Sequence, residues 1–427
     1  MENRPLVRAI NTKAFGAALY GSAGWSIWPK GAFDPYDYGW YGLGGALMAA
    51  GGGFALGAAR HAWLDYTSRR DADAFRKKGS GLHTAGWATE ADMEAAGMFD
   101  PVEPPLGMTF GGRALFGPHK LRIPHSKVLA PSRVGKTTAN ILQSVMHTAL
   151  SPHCPTVILM DLKDGEVASQ CAEVLCEAGI KVVVIDDRHV SKLEATSVNP
   201  FGPFLKAHLQ ADPASSMMAR ELALNFAPEP NDDPKGRFWR DGEREFLTFG
   251  LLALATFVPD DCTPTGLWRL LSTAEILEDS LTAASKETGA LGDLANRIVA
   301  RKSSNPEHYE DFLGTARRRV EIYEEGGLLE GVGKDSTFDH AAIKDGGMVV
   351  FIVGSQVGGE VLAPNTTAHL SAFLQATKQA PSRPVNFVID EATNSPVHGL
   401  VEDFTKLGAY GGRIVFCAQA ESEIRKK

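Results

Sequence analysis

Short apolar runs recur from residue 125 onwards, and each run ends in polar or charged residues. The runs read VL at Val128, TVILMD from Thr156, KVVVIDD from Lys181, VVFIVGS from Val349, VNFVID from Val385 and RIVFCAQ from Arg413. Segments with helical spacing, such as Thr138–Leu150, lie between several of these runs. Apolar strands that alternate with helices are typical of a parallel sheet, which places its ligand site at the carboxyl ends of the strands. The pattern predicts an α/β fold with a mostly parallel sheet.

A long helical stretch separates two of the predicted strands. Residues 272–287 and 307–325 carry apolar residues at i, i+3 and i+4, with charges on the opposite face. We expect an inserted all-α domain over residues 205–335. Arg317, Arg318 and Arg319 either form a solvated helix face or contact DNA, an adaptor protein or the phosphates of a neighbouring subunit.

The N-terminal segment has a different pattern. Residues 14–29 and 38–59 are uncharged runs, and a bilayer core takes roughly 20 helical residues. Basic residues flank the two runs on their outer sides, namely Arg4, Arg8, Lys13, Arg60, Arg69, Arg70, Arg76, Lys77 and Lys78. The positive-inside rule then places both ends in the cytoplasm. We predict a two-helix transmembrane anchor over residues 1–78; the alternatives are a cleaved signal peptide for the first run or a buried Gly/Ala-rich helix pair.

Charge and cysteine content narrow the function classes. The net charge of −8 argues against a general nucleic-acid coat protein, although DNA could still be handled in a local channel. The five cysteines are odd in number, and no pair has CxxC spacing. This composition indicates reduced thiols in a cytosolic body and no zinc ribbon.

A phosphate-binding loop follows the first predicted strand. APSRVGKT differs at one position, Ala130, from the G-x-x-x-x-G-K-[ST] pattern. Lys136 is expected to reach the β and γ phosphates of ATP, and the Thr137 hydroxyl to hold Mg²⁺. The residues expected to cradle the nucleotide are Ala130, Pro131, Ser132, Arg133, Val134, Gly135, Lys136, Thr137 and Thr138. Their backbone N–H groups and the start of the following helix favour phosphate.

Acidic residues end another strand. In VNFVIDEATN, Asp390 is expected to orient Mg²⁺ and Glu391 to polarise the attacking water. The alternative is a strand end with solvated acids. A water-activating acid directly after the metal ligand favours hydrolysis over phosphoryl transfer to another substrate. Gln419, at the end of the last predicted strand, is a further catalytic candidate, and the strand TVILMD also ends in charged residues, including Lys163.

Taken together, these motifs resemble the type IV coupling proteins, the TraG/TraD-like ATPases of conjugation and type IV secretion. The segments that carry the resemblance are LHTAGWATEADMEAAGMF (82–99), APSRVGKTT, MDLKDGE, SVNPF (197–201), FWRDGEREFLTFGLLAL (238–254), DEATN and CAQAESEI. Two features depart from the family pattern. Ala130 replaces the usual Gly, which a negative φ would allow. The chain also ends at Lys427, where family members usually continue, so a fragment or short form is expected.

The resemblance implies a RecA-like P-loop NTPase domain over residues 79–204 and 336–427. It further implies a homo-hexameric ring in the bacterial inner membrane, with both termini cytoplasmic. Its expected partners are a relaxosome or relaxase, single-stranded DNA or a secreted protein, and components of the type IV secretion channel. Arg413 and Arg133 are candidates for an arginine donated to a neighbouring subunit's nucleotide. An FtsK/HerA-like DNA translocase and a docking receptor with little hydrolysis are the alternatives.

Overall fold

The computed structural model describes most of the chain after residue 88. The described residues are 89–109, 112–117, 125–129, 135–228, 234–355, 357–379, 383–390 and 406–418, together with positions 55, 59, 63 and 66. The chain divides into two compact units, one made of Met1–Pro101 and Pro105–Leu121, the other of Val102–Pro104 and Arg122–Lys427.

The smaller unit contains a short helix and a hairpin after residue 88, and the described positions 55, 59, 63 and 66 are also helical. Helix α1 spans Glu90–Ala95, and strands β1 (Pro105–Met108) and β2 (Ala114–Phe116) pair antiparallel. Thr89 and Asp92 cap α1 reciprocally, each side chain bonding the other's backbone N–H. Such a capping box satisfies two N–H groups that a helix start leaves unpaired.

The larger unit is built on a six-stranded parallel sheet. Its strands are β3 (His125–Leu129), β4 (Thr156–Asp161), β5 (Lys181–Ile185), β6 (Met348–Val353), β7 (Val385–Ile389) and β8 (Gly412–Ala418). Their lateral order is β3-β8-β7-β4-β6-β5, and every neighbouring pair is parallel. The predicted α/β fold with a parallel sheet is confirmed. Strand β8 separates the strand that leads into the phosphate loop from the strand that ends in Asp390.

Strand β4 shows why these runs are apolar throughout. Every one of its residues is buried, because helices cover both faces of the sheet. Ile158 and Met160 belong to the apolar cluster on one face, and Val157 and Leu159 to the cluster on the other. A strand buried on one face only would have alternated apolar with polar residues.

Helices flank the sheet and form a large region between β5 and β6. A π-helical turn (Thr137–Ile141) leads into α2 (Leu142–Ala149), and α3 spans Glu166–Glu177. The region between β5 and β6 holds α4 (Gly202–Leu209), α5 (Ser215–Phe226), α6 (Pro234–Phe257), α7 (Pro264–Ser272), α8 (Ala274–Ala284), α9 (Ala290–Ser304) and α10 (Pro306–Val320). Helix α11 (Gly359–Gln379) follows β6, and 3₁₀ turns lie at Pro259–Asp261, Glu321–Tyr323, His340–Asp345 and Leu407–Tyr410.

Local sequence signals set the helix starts in this region. Thr263 accepts a hydrogen bond from Gly266 N, and Asn305 accepts one from His308 N, each just before a helix that begins with proline. Proline suits the first helical position because its missing N–H would have no partner there. The helices share one apolar cluster, whose fully buried rings include Phe246.

Two predictions from the sequence concern helices within the first 150 residues. The predicted helix over Thr138–Leu150 begins one residue earlier and opens as a π-helical turn before continuing as α2. The predicted spans 14–29 and 38–59 lie outside the described residues, apart from positions 55 and 59. Within the part of the chain that is described, no helix combines the length and the apolar character needed to cross a bilayer.

Candidate nucleotide and metal site

Three strands bring two predicted site residues, and Lys163 with them, to one edge of the sheet. Thr137 follows β3, Lys163 follows β4 and Asp390 follows β7. Because the strands are parallel, their carboxyl ends meet at this edge. Strands β4 and β7 are direct neighbours, with Met160 opposite Ile389, so the residues after them lie close together. We call this edge the nucleotide edge.

Gly135 turns the chain into the helix at this edge. Its φ of +80° lies in the left-handed region, which L side chains rarely adopt. Among the described residues, leaving out its chain neighbours, no atom lies within 4 Å of the position that a Cβ would take, so the requirement is conformational and not steric. The glycine of the phosphate-loop pattern is therefore needed here for its backbone.

Lys136 has a buried ammonium group that is suited to bind an anion. It is 9% exposed, and its Nζ has no hydrogen-bond partner among the described residues. An ammonium taken out of water without a partner is costly, so native proteins seldom leave one unpaired. The orphaned Nζ at the start of a helix fits a phosphate group as its missing partner.

Thr137, Lys163 and Asp390 form one hydrogen-bonded cluster. The Lys163 ammonium donates to Thr137 Oγ1 at 3.0 Å and to Asp390 Oδ2 at 2.9 Å. The Asp390 side chain is almost fully buried, and its second oxygen, Oδ1, has no hydrogen-bond partner among the described residues. A hydroxyl and a carboxylate gathered around one cation are hard oxygen ligands of the kind that Mg²⁺ takes. The predicted metal ligands Thr137 and Asp390 are thus brought together and fit the ion.

Asp161 fixes the turn that carries Lys163. Its Oδ2 accepts the N–H groups of Val167 and Ala168 at 2.8 and 3.1 Å, and its Oδ1 accepts that of Lys163 at 3.3 Å. Burial raises the pKa of Asp161, the three hydrogen bonds act in the opposite direction, and the nearby Asp390 raises it further. Asp161 therefore anchors the start of α3 and does not face the nucleotide edge as a ligand.

Gly165 completes that turn at a point where the backbone passes close to Ser191. Its φ is +76°, and a Cβ built there would lie 2.6 Å from Ser191 Cβ. The neighbouring Asp164 N–H donates to Gly354 O at 3.0 Å, which ties the turn to the end of β6. The backbone beneath Lys163 is held in place, so its ammonium is aimed at the cluster.

Other predicted site residues fall outside the described part of the chain. These are Ala130, Pro131, Ser132, Arg133, Val134, Glu391 and Gln419. Thr138 lies in the π-helical turn. Sequence reasoning noted Lys163 as a charged strand end without giving it a role. Lys163 follows β4, and β4 lies beside β7 in the sheet. This adjacency was the missing signal, because it appears only in the lateral order of the strands.

Three of the arginines considered for partner contacts have partners of their own. Arg413 lies near the start of β8, at the sheet edge opposite the phosphate loop, and donates to Glu103 at 2.6 Å. Arg317 donates to the Leu271 carbonyl oxygen at 2.6 Å, and Arg319 pairs with the buried Glu243 at 3.1 Å. Arg413 therefore does not reach the nucleotide edge of its own chain, and Arg317 and Arg319 hold the helices together.

A buried polar network joins the helical region to the sheet. Tyr323 donates from its hydroxyl to Asn365 Oδ1 at 3.1 Å, and Asn365 Nδ2 donates to Asp187 Oδ2 at 2.7 Å. His369 Nε2 lies 2.9 Å from the same carboxylate oxygen. Burial alone would raise the pKa of Asp187, but the facing His369 and these hydrogen bonds outweigh it and lower the pKa. The network links the end of the helices, α11 and the residues after β5.

Comparison with known proteins adds a family. Residues 76–425 match the family described as type IV secretory system conjugative DNA transfer. No curated protein sequence matches the chain.

Solved structures share the fold at low sequence identity. The bacterial conjugative coupling protein TrwB without its first 70 residues, in an unbound form, superimposes with a TM-score of 0.56 and 15% identity, covering 79% of this chain and 71% of that one. TrwB in complex with ADP and Mg²⁺ gives 0.54 and 16%, covering 73% and 68%. TrwB with a non-hydrolysable GTP analogue gives 0.55 and 16%, covering 79% and 72%.

Proposed function

The chain belongs to the type IV secretory system conjugative DNA transfer family, and we propose that it is the coupling ATPase of such a system. In this role it binds ATP with Mg²⁺ at the nucleotide edge and uses hydrolysis to pass substrate towards a secretion channel. The observation that carries the proposal is the meeting of Lys136, Thr137 and Asp390 at one edge of a parallel sheet. The structures of TrwB with nucleotides support it.

Each residue of the site has a defined task in this proposal. Lys136 binds the β and γ phosphates, and the backbone N–H groups at the start of the helix after Gly135 hold the same oxygens. Thr137 and Asp390 hold Mg²⁺, which when bound neutralises charge on the phosphates. Glu391 follows Asp390 and polarises the attacking water, while Gln419, after β8, contacts the reacting phosphate. In-line phosphoryl transfer needs such charge stabilisation more than covalent chemistry.

The helical region and the N-terminal segment would couple this chemistry to transport. We assign residues 205–335 to substrate or adaptor contact, and the runs 14–29 and 38–59 to anchoring in the bacterial inner membrane. A homo-hexameric ring would place each nucleotide between subunits, with an arginine such as Arg133 supplied by a neighbour. The substrate in this proposal is single-stranded DNA with its relaxase, or a secreted protein.

The first test is Lys136→Ala in the full-length chain. Its ammonium makes a charge-assisted contact worth roughly 1.5–3 kcal/mol, so ATP affinity should drop about ten- to a hundredfold in equilibrium binding. The unfolding transition should stay in place, because Nζ has no hydrogen-bond partner among the described residues. Lys181→Ala, an exposed lysine in β5, is the matched control and should bind ATP like the wild type.

Transfer assays with the same variant separate a motor from a docking receptor. For a motor, Lys136→Ala abolishes transfer and also inhibits the wild type on co-expression, because mixed rings contain dead sites. Normal transfer by Lys136→Ala would leave the docking receptor as the function.

Glu391→Gln tests hydrolysis separately from binding. Loss of a general base lowers a rate by about a hundredfold or more. We expect ATP affinity close to that of the wild type and phosphate release reduced to this extent. Equal hydrolysis rates in both proteins would show that Glu391 is not the base.

A further inference from the structure

We propose that the Lys163 ammonium occupies the metal position as a counter-ion of Asp390. A complex of metal and nucleotide then displaces it from that position. The inference rests on the proposed function, because it concerns how the Mg²⁺ nucleotide enters the site. It gives Lys163 a role that differs from that of Lys136: the first lysine yields to the metal, and the second binds phosphate.

The contacts of the Lys163 ammonium place it between the two metal ligands. Its Nζ lies 3.0 Å from Thr137 Oγ1 and 2.9 Å from Asp390 Oδ2, and these oxygens come from different strands of the sheet. A magnesium ion binds such oxygens at about 2.0–2.1 Å. A metal bound to both of these oxygens would bring its charge close to the ammonium, and the repulsion between the two cations disfavours joint occupation. In the proposal, Lys163 and the metal therefore compete for the same two oxygens.

Charge balance favours a cation at this position. Asp390 and Asp161 are 3% and 2% exposed, and they lie at the carboxyl ends of the neighbouring strands β7 and β4. Two acids buried close together are stabilised by a nearby positive charge. The Lys163 ammonium supplies that charge through its contact with Asp390.

The position of Lys163 also allows its side chain to rotate away from the two oxygens. Its side chain is 18% exposed, whereas that of Asp390 is 4% exposed, so the lysine stem approaches from the more open side. The backbone of the turn is tied by Asp161 and Gly354. Displacement then requires rotation of one flexible side chain only, with no change in the sheet.

A metal titration without nucleotide tests the exclusion. Mn²⁺ binding to the full-length chain in detergent is followed by electron paramagnetic resonance for the wild type and Lys163→Met. Removing the competing cation should lower the Mn²⁺ dissociation constant by about tenfold or more. Lys286→Met, an exposed lysine between α8 and α9, should bind Mn²⁺ like the wild type. Equal or weaker binding by Lys163→Met would overturn the proposal.

A second measurement uses the wild type alone and does not depend on the folding of a variant. Lysines are acetylated briefly with an N-hydroxysuccinimide ester in saturating ADP, with either Mg²⁺ or EDTA, and the sites are quantified by mass spectrometry. Lys163 should react several-fold faster with Mg²⁺ because it has left its oxygens, and Lys286 should react equally in both. An unchanged or slower rate at Lys163 would overturn the proposal.

The same experiment distinguishes a failure of the counter-ion role from a failure of the ATPase function. ADP binding is measured in parallel in each condition. Absence of any ADP binding contradicts the proposed ATPase function. Mg²⁺-dependent ADP binding together with an unreactive Lys163 contradicts only the counter-ion role.

Discussion

The nucleotide edge and the helical region differ in where they keep their charges. At the edge, Lys136, Asp161 and Asp390 are each at most 9% exposed. In the helical region most ion pairs lie at the surface, as that of Arg297 with Glu245 does. Burying an ionised group opposes folding unless another charge compensates it, whereas an exposed pair changes stability little. Buried charge is therefore concentrated at the nucleotide edge, where we propose that ligand binds, although the helical region also buries Glu243 against Arg319.

Phe246→Ala should have the largest effect and act on the helices alone. The ring is fully buried and packs edge-to-face on Tyr309 at 5.3 Å. Truncating such a ring leaves a cavity and costs about 3–5 kcal/mol of unfolding free energy. Denaturant unfolding measures the loss, and the nucleotide affinity of the folded protein should stay unchanged. A parallel loss of affinity would show that the two regions are not separable.

His340→Gln should change how the unfolding free energy depends on pH. Burial lowers the pKa of His340 to about 3, and it faces His369, Asp339 and Lys206. Below pH 6.5 the unfolded chain takes up a proton that the folded chain refuses, so this group's stabilisation is complete above pH 6.5 and is lost towards pH 3. The difference between wild type and variant should change by about 1.4 kcal/mol per pH unit in this window. A constant difference from pH 6 to pH 4 would contradict the buried neutral ring.

Asp390→Asn should affect binding more than stability. The amide keeps the shape of the side chain but loses the charge that, in our proposal, holds the metal. We expect the affinity for nucleotide in Mg²⁺ to fall about tenfold, or roughly 1.4 kcal/mol, with little change in the affinity measured in EDTA. Asn386→Asp, a change on the same strand away from its carboxyl end, is the control. A loss of the same size in EDTA would remove Asp390 from the metal site.

Arg297→Ala should have the smallest effect. The side chains of Arg297 and Glu245 are 51% and 24% exposed and lie 3.3 Å apart. Exposed ion pairs contribute about 0.2–1 kcal/mol. Thermal unfolding at low and high salt measures the loss, which should shrink as salt increases. A loss of unfolding free energy above 2 kcal/mol would show that exposed ion pairs contribute strongly to the stability of the helices. The helical region would then differ less from the nucleotide edge.

The sequence predicts the pieces of this fold better than their arrangement. Apolar runs such as TVILMD identify the strands because both faces of the sheet are covered. Chain order does not state that β8 lies between β3 and β7, or that β4 borders β7. Thr137 and Asp390 could be selected from motifs, since their chemistry is written in neighbouring residues. The contact of Lys163 with both depends on lateral strand order, so no local pattern revealed it.

The polar network around Asp187 has a mechanical consequence. Tyr323 closes the helical region, and through Asn365 it is tied to the residues that follow the edge strand β5. Buried hydrogen bonds hold the groups that they join in a defined geometry. A displacement of Tyr323 would therefore be transmitted through Asn365 and Asp187 to the residues after β5.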